Sequence, residues 1–362
     1  MRRRDGAGND LRGHRRGTPR SPLCRCTPRP SAASGAASGG EAAVAELTEP
    51  SCGRGRIPLA SPCRSGYGRG FPDRIRTHGM NIGKRLCATF TGGFAALLLA
   101  GAASAAGVDT HALKAAIDDP ARPAEQKARD RYRHPQQTLT FFGIAPQMTV
   151  VEIWPGTTGY TDILAAYLHE HGRYIAATPA ASLPTASDYS KRSVAAYRAK
   201  LEADPARFGQ VLVTEFGPPQ RTAIAPPGSA DAVLTFRNVH NWVSGGFEQQ
   251  AFDAFFAALK PGGVLGVVEH RARPGSTLQQ MKDSGYVNED YVIALARNAG
   301  FELAARAEIN ANPQDSKDHP AGVWTLPPTL RLKDQDRERY LAIGESDRMT
   351  LKFVKPLAAA VP

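Results

Sequence analysis

Between residues 108 and 356 the spacing of apolar residues changes period several times. Residues 148–154 (MTVVEIW), 173–178 (RYIAAT), 210–216, 230–236 and 264–270 are short, nearly continuous apolar runs, the pattern of strands covered on both faces. Residues 160–171 place apolar side chains at 163, 164, 167 and 168, one helical stripe, and Gly172 ends it. Residues 190–208, 247–259 and 288–301 read as further helices, the second stopped by Lys260-Pro261-Gly262-Gly263 and the third by Gly300. Residues 302–309 make a sixth strand. Residues 348–356 (RMTLKFVKP) alternate, which predicts a seventh strand at an edge of the sheet. Ahead of all this, residues 110–144 read as two helical pieces broken at Pro120 and Pro123.

Strands alternating with helices predict an α/β fold: a doubly wound, Rossmann-like, seven-stranded and mostly parallel sheet with helices on both faces. In such sheets ligands sit beyond the carboxyl ends of the strands.

The 362-residue chain has a net charge of +11 and a pI near 9.6, which would suit a nucleic-acid binder. The distribution of charge removes that reading. Residues 1–79 carry +9, residues 80–105 carry +2, and residues 106–362 are neutral. All five cysteines (Cys24, Cys26, Cys52, Cys63 and Cys87) also precede residue 106, so the predicted domain has no thiol or disulfide chemistry and no cysteine-based metal site.

Residues 1–79 are rich in Arg, Gly, Pro and Ser without apolar periodicity, a composition expected to stay disordered. From Met80 the chain shows Lys84 and Arg85, an apolar stretch to Leu99 and a small-residue end at Ala103-Ser104-Ala105, the layout of a secretory signal peptide at 80–105. The apolar core is too short to favour a spanning helix, so no stable membrane insertion is expected after cleavage. A signal peptide 80 residues into a chain implies that Met80 is the natural start and that residues 1–79 are not translated. The expected destination is the periplasm, and residues 106–362 form the domain.

The most informative stretch is residues 150–168, VVEIWPGTTGYTDILAAYL: a strand, a glycine turn and a helix. No Lys-Ser/Thr pair follows the glycines, so it is not a phosphate-binding P-loop, and the Gly-x-Gly-x-x-Gly of dinucleotide folds is missing. This stretch, ADAVLTFRNVHNW (230–242), ALKPGGVLGVVEH (258–270) and ARNAGFEL (296–303) occur in one register. Together they resemble class I S-adenosylmethionine-dependent methyltransferases, more closely a signal-peptide-bearing bacterial branch. The segments SKDHPAGVWTLPP and GESDRMTLKFVKP resemble that branch too, and the likeness spans residues 108–356.

The resemblance implies S-adenosylmethionine as cofactor and a small molecule as substrate. It places Glu152 where the first-strand acid faces the methionine amino group. Trp154, Gly156, Thr157, Thr158 and Gly159 form the cofactor loop. Glu215 stands where an acid lies near adenine, and Asn238 to His240 where the methyl group meets the substrate. Two departures stand out: Trp154 replaces a glycine of the family's loop, and Thr178 replaces the ribose-binding acid.

His240, at the tip of TFRNVHNW, is the candidate general base; the alternative is a histidine that only hydrogen-bonds a loop. Glu269, His270 and His319 add metal-ligand types without a His-x-x-x-His spacing, so no metal is assigned. His169 and His171 fall at a helix end, where they suit exposed carbonyls. Trp154 reads equally as a lid or as core. Residues 318–332 read as a flap across the ligand edge. Besides the methyltransferase reading, two others remain: an exported non-catalytic binding protein on the same scaffold, and a metal-assisted hydrolase.

Overall fold

The computed structural model describes residues 107–157 and 159–357. The expected extension 1–79, the signal peptide 80–105 and Thr158 lie outside the described residues. Among those described, no helix is long and apolar enough to cross a membrane.

The chain runs α1 (Thr110–Asp118), α2 (Ala124–Lys127), α3 (Asp130–Arg133), α4 (Pro135–Phe142), β1 (Thr149–Ile153), α5 (Thr161–Leu168) and β2 (Arg173–Pro179). It continues through α6 (Asp188–Ala203), α7 (Pro205–Phe208), β3 (Leu212–Phe216), β4 (Ala230–Phe236), α8 (Val239–Gly245) and α9 (Glu248–Ala258). The last third holds β5 (Leu259–His270), α10 (Leu278–Ser284), α11 (Glu289–Asn298), β6 (Glu302–Ala307), α12 (Arg337–Ile343) and β7 (Arg348–Val354). The two helical pieces expected before β1 are four short helices, and the helix expected over 190–208 is divided at Pro205 into α6 and α7.

The strands form one seven-stranded sheet in the order β3-β2-β1-β4-β5-β7-β6. The first five are parallel, and β7 runs antiparallel to both β5 and β6. This is the class I methyltransferase fold, and the expected doubly wound α/β sheet is present. One expectation is corrected: residues 348–354 are not an edge. β7 is inserted between β5 and β6, and its burial is accordingly nearly continuous, whereas β6 alternates exposed and half-buried residues as the true edge.

Two apolar cores cover the two faces. One gathers Val151, Ile153, Val233, Leu265, Val267 and Phe353 with α8, α9 and α11. The other gathers Val150, Tyr174, Ala176, Leu234 and Val268 with α1, α4 and α5. Because side chains alternate along a strand, Glu152 points to the face of Val150 and Tyr174. At the ends of β1 and β4 the backbone turns through left-handed conformations at two non-glycine residues, Trp154 (φ 48) and Arg237 (φ 62). Such a residue costs about 1–2 kcal/mol, which the contacts of these side chains must offset. Both turns face the same cavity.

Candidate functional site

A cavity of about 790 Å³ opens at the carboxyl ends of β1, β4 and β5, the side on which ligands bind in sheets of this kind. Glu152, Gly156 and Gly159 contribute one wall, Arg237, Asn238 and His240 the next. The segment around Trp324, Pro328 and Arg331 covers the rim, as expected of the flap.

The β1 end is built around a buried carboxylate. Glu152 is 2% exposed, and its Oε2 accepts the Tyr174 hydroxyl at 2.6 Å. Tyr174 is linked in turn to Thr161 (3.0 Å), and Thr161 to Tyr197 (3.2 Å). Burial raises Glu152 to about 7, against the hydrogen bonds from Tyr174 and the Tyr160 backbone. A carboxylate poised there becomes a ready partner for a ligand ammonium.

The loop after β1 leaves room for a ligand. A Cβ added to Gly156 would meet nothing within 4 Å, and one added to Gly159 would lie 3.4 Å from Glu152 Oε1. A side chain at 159 would therefore crowd the carboxylate. Thr157 is exposed, but its carbonyl is tied by Lys200 Nζ (2.9 Å) and Gln126 Nε2 (3.3 Å), fixing the loop from two sides. Tyr160 stacks on Phe236 with ring centroids 3.8 Å apart, joining the β1 loop to the end of β4.

Trp154 is a wall rather than a lid. Its indole Nε1 donates to the Phe216 carbonyl at 2.9 Å, and its ring packs against Phe216, Trp242 and Phe247 at centroid distances near 6 Å. Those contacts hold the left-handed turn. Asn238 also lines the cavity while its Nδ2 donates to the Ile153 carbonyl at 2.9 Å, clamping the end of β4 to the end of β1.

Two expected ligand residues do not reach the cavity. Thr178 is fully buried and its hydroxyl donates across the sheet to the Thr214 carbonyl at 3.1 Å, because a hydroxyl enclosed between strands takes the nearest acceptor. Glu215 turns to the loop after β2, where Ser182 donates to it through backbone N–H (3.1 Å) and hydroxyl, and it lines a separate surface hollow. Its carboxylate satisfies that loop. The carboxylates lining the main cavity among the described residues are Glu152 and Glu345.

His240 lies on α8, only 7% exposed, with Nδ1 3.0 Å from Glu269 Oε1. Glu269 is fully buried and also accepts from three backbone N–H groups: Val239 (2.6 Å) and His240 (3.4 Å) on Oε2, His270 (2.7 Å) on Oε1. It caps the start of α8 and fixes the imidazole at once. Because it acts as acceptor to so many donors, Nδ1 carries the proton and Nε2 is left as the basic nitrogen.

His270 places Nδ1 2.5 Å from Ser346 Oγ, and its ring is 5.3 Å from that of His240. Burial holds its pKa well below the usual value, with His240, Arg237 and Arg348 pushing the same way. Ligand atoms of His240, Glu269 and His270 fall within 4.8 Å of one another. Arg237 and Arg348, whose charge adds to burial in keeping His270 neutral, also disfavour a metal ion there, and both Glu269 oxygens already serve backbone donors. His319 takes no part: its Nε2 pairs with Asp315 Oδ1 at 2.8 Å, and Asp315 also accepts the Tyr286 hydroxyl at 2.9 Å.

Sequence reasoning missed the cationic half of the site. Arg133 from α3, Arg237 after β4 and Arg348 at the start of β7 all line the cavity, with Glu345 between them. Glu345 Oε1 accepts from Arg129 Nε at 2.6 Å, and Oε2 lies 3.1 Å from Arg348 Nη1 and 3.9 Å from Arg133 Nε. Burial alone would raise Glu345, but Arg348, Arg129, Arg237 and Arg133 outweigh it and hold the carboxyl at about 2. The signal for these residues was the charged run Glu345-Ser346-Asp347-Arg348 leading straight into an apolar strand.

No protein-family model matches the chain, and no curated protein does. Solved structures that resemble it include a SAM-dependent methyltransferase from Aquifex aeolicus (15% identity, 68% of this chain and 98% of that one, TM-score 0.40). Another is an arsenic(III) S-adenosylmethionine methyltransferase from Chlamydomonas reinhardtii (13%, 69% and 74%, 0.41). A third is geranyl diphosphate C-methyltransferase from Streptomyces coelicolor A3(2) (14%, 67% and 87%, 0.38). The strand order, rather than these likenesses, defines the fold.

Proposed function

We propose that this chain is an S-adenosylmethionine-dependent methyltransferase acting on a small molecule, exported to the periplasm through residues 80–105. One observation carries the enzymatic reading. In a sheet of this strand order, a buried carboxylate at the end of β1 faces a cavity beside a glycine turn with room for a ligand.

Glu152 would take the ammonium of the cofactor's methionine end, while Gly156 and Gly159 keep the loop backbone clear. Trp154 and Asn238 hold the walls. The bound cofactor would supply an electrophilic methyl group, whose carbon–sulfur bond breaks as the acceptor's lone pair attacks, leaving the electron pair on sulfur. His240 Nε2 would accept the acceptor's proton, with Glu269 holding the ring and stabilising the imidazolium that forms. Most of the acceleration in such a displacement comes from placing two reactants in line and excluding water.

A second reading has its own observation. With Thr178 and Glu215 turned away, no carboxylate among the described residues is left for the ribose or adenine end. That favours a binding protein that has lost the methyl donor.

Thermal-shift titration with S-adenosylmethionine and S-adenosylhomocysteine separates the two. A ligand at about 100 times its dissociation constant stabilises by about 2.7 kcal/mol, a rise of about 5 to 10 °C for a domain of this size. No rise at millimolar ligand would end the methyltransferase reading in favour of the second. Export is tested by amino-terminal sequencing of the protein from the periplasm of its host, where a start at residue 106 or 107 is expected. A start at Met80 or earlier would overturn it.

A further inference from the structure

The cavity has two electrostatic ends. At the β1 end Glu152 is the lone carboxylate among the described residues, and burial raises it to about 7. At the other end the guanidiniums of Arg133, Arg237 and Arg348 line the wall around a single carboxylate, Glu345, which also serves Arg129. Among the described residues, Arg129, Arg133 and Arg348 each come within 4 Å of this carboxylate.

Arg237 is the member without a partner. Its backbone N–H donates to the Val268 carbonyl at 2.7 Å, but its guanidinium makes no hydrogen bond or ion pair with any described residue. It is half-buried, follows β4 directly and stands three residues before His240. A left-handed backbone at φ 62 sets it there. Arg348 donates to the Tyr132 carbonyl (2.7 Å) and to Glu345, yet its Nε is buried without a partner. Enclosing uncompensated charge is costly, and an isolated guanidinium beside other cations persists only where something else offsets it. A planar fork of N–H donors matches a carboxylate or phosphate with two parallel hydrogen bonds. Burial, with Arg133 adding to it, lowers Arg237 to about 9, which expresses the same unmet demand for an anion. His270 is kept neutral beside this cluster, so it adds no repulsion toward an anion and serves as a further hydrogen-bonding group on the wall.

We propose that the methyl acceptor is an anionic small molecule whose carboxylate or phosphate binds the Arg237 guanidinium, with Arg348 and Arg133 reinforcing the charge. The anion site rests on the side chains alone; only the word acceptor rests on the methyltransferase reading. Anchoring an anion there places the rest of the molecule beside His240. The cofactor's own methionine carboxylate is the other source of the same chemistry, so the experiment must separate the two.

The measurement is thermal shift and calorimetric titration of the purified protein and of Arg237→Leu at constant ionic strength. The probes are inorganic phosphate, benzoate and the uncharged benzamide, each with and without saturating S-adenosylhomocysteine. S-adenosylhomocysteine and 5′-methylthioadenosine, which lacks the carboxylate, are titrated separately. Saturable stabilisation by phosphate or benzoate but not benzamide is expected. It should weaken at least tenfold in Arg237→Leu, while S-adenosylhomocysteine affinity stays within about twofold. The ligand-free variant should melt at the same temperature as the parent or higher, since it loses an uncompensated cation; Arg237→Gln serves if Arg237→Leu does not fold.

Equal anion effects on parent and variant, or none on either, would overturn the inference. So would a variant that weakens S-adenosylhomocysteine but not 5′-methylthioadenosine, which would give Arg237 to the cofactor's carboxylate. Anion binding without any S-adenosylhomocysteine binding would uphold the site and remove only the methyltransferase reading.

Discussion

Tyr174 donates its hydroxyl to Glu152 Oε2 across 2.6 Å, and both side chains are enclosed between the sheet and its helices. Burial raises Glu152 to about 7 from a reference of 4.5. Between those values the folded chain keeps a proton that the unfolded chain has lost, so stability falls as pH rises through that window. Glu152→Gln is expected to abolish that fall, up to about 3 kcal/mol. Urea unfolding at pH 5 and pH 7 checks it; an unchanged slope in the variant would place the titration elsewhere.

The same group links ligand affinity to pH. If an ammonium must meet ionised Glu152, S-adenosylhomocysteine should bind about tenfold more tightly at pH 8 than at pH 6, because the carboxyl must first lose its proton at pH 6. Calorimetry at the two values reads this directly. Glu152→Gln should bind weakly at both, and a variant that kept the full pH dependence would exonerate the residue.

Glu269 holds three backbone N–H groups and the His240 ring. Glu269→Ala leaves several buried donors unmet, at about 1–3 kcal/mol each, so a loss of about 3 kcal/mol or more is expected. At about 2–4 °C per kcal/mol for domains of this class, the melting temperature should drop by roughly 10 °C. In the parent, nitrogen-15 NMR of His240 should find the proton on Nδ1. A proton on Nε2 would remove the proposed base.

Glu345 is held at about 2 by the arginines around it, against an unfolded reference of 4.5. Its contribution to stability is therefore present above pH 4.5 and disappears as pH falls through 2. Glu345→Gln removes the carboxylate that pairs with Arg129 and Arg348, and breaking a buried ion pair in this way costs about 3–5 kcal/mol. Acid unfolding of the variant should lack the steep limb between pH 4.5 and 2. A variant as stable as the parent would show that the arginines find other partners.

The sheet was legible because strands covered on both faces are forced into apolar runs, and because Gly172 and Gly300 follow the ends of helices; Gly262, expected to stop a helix, lies inside β5 instead. The position of β7 was not. Its alternation at 348–354 suits an edge, and only pairing with both β5 and β6 shows otherwise. The same limit explains the site. Glu152, Gly156, Gly159 and Asn238 lie at strand ends that local pattern identifies, whereas Thr178 and Glu215 also lie at strand ends but satisfy nearby groups instead of the cavity. A position beyond a strand says nothing about which neighbour its side chain will choose. The cluster of Arg133, Arg237 and Glu345 spans more than 200 residues of sequence and exists only because β7 returns to the middle of the sheet.

That return also sets a timetable for synthesis. Among the described residues β6 pairs only with β7, and β5 has β7 as its partner on that side, so β6 leaves the ribosome before the strand that will join it to the sheet. Glu345, which draws Arg129 and Arg348 together, emerges just ahead of that last strand. A nascent chain ending short of residue 345 would hold the glycine turn and His240 but an unfinished anion wall, and it would present an open β5 edge to neighbouring chains. The pocket therefore forms late in synthesis, and its completion reports that the chain has been made as far as Arg348.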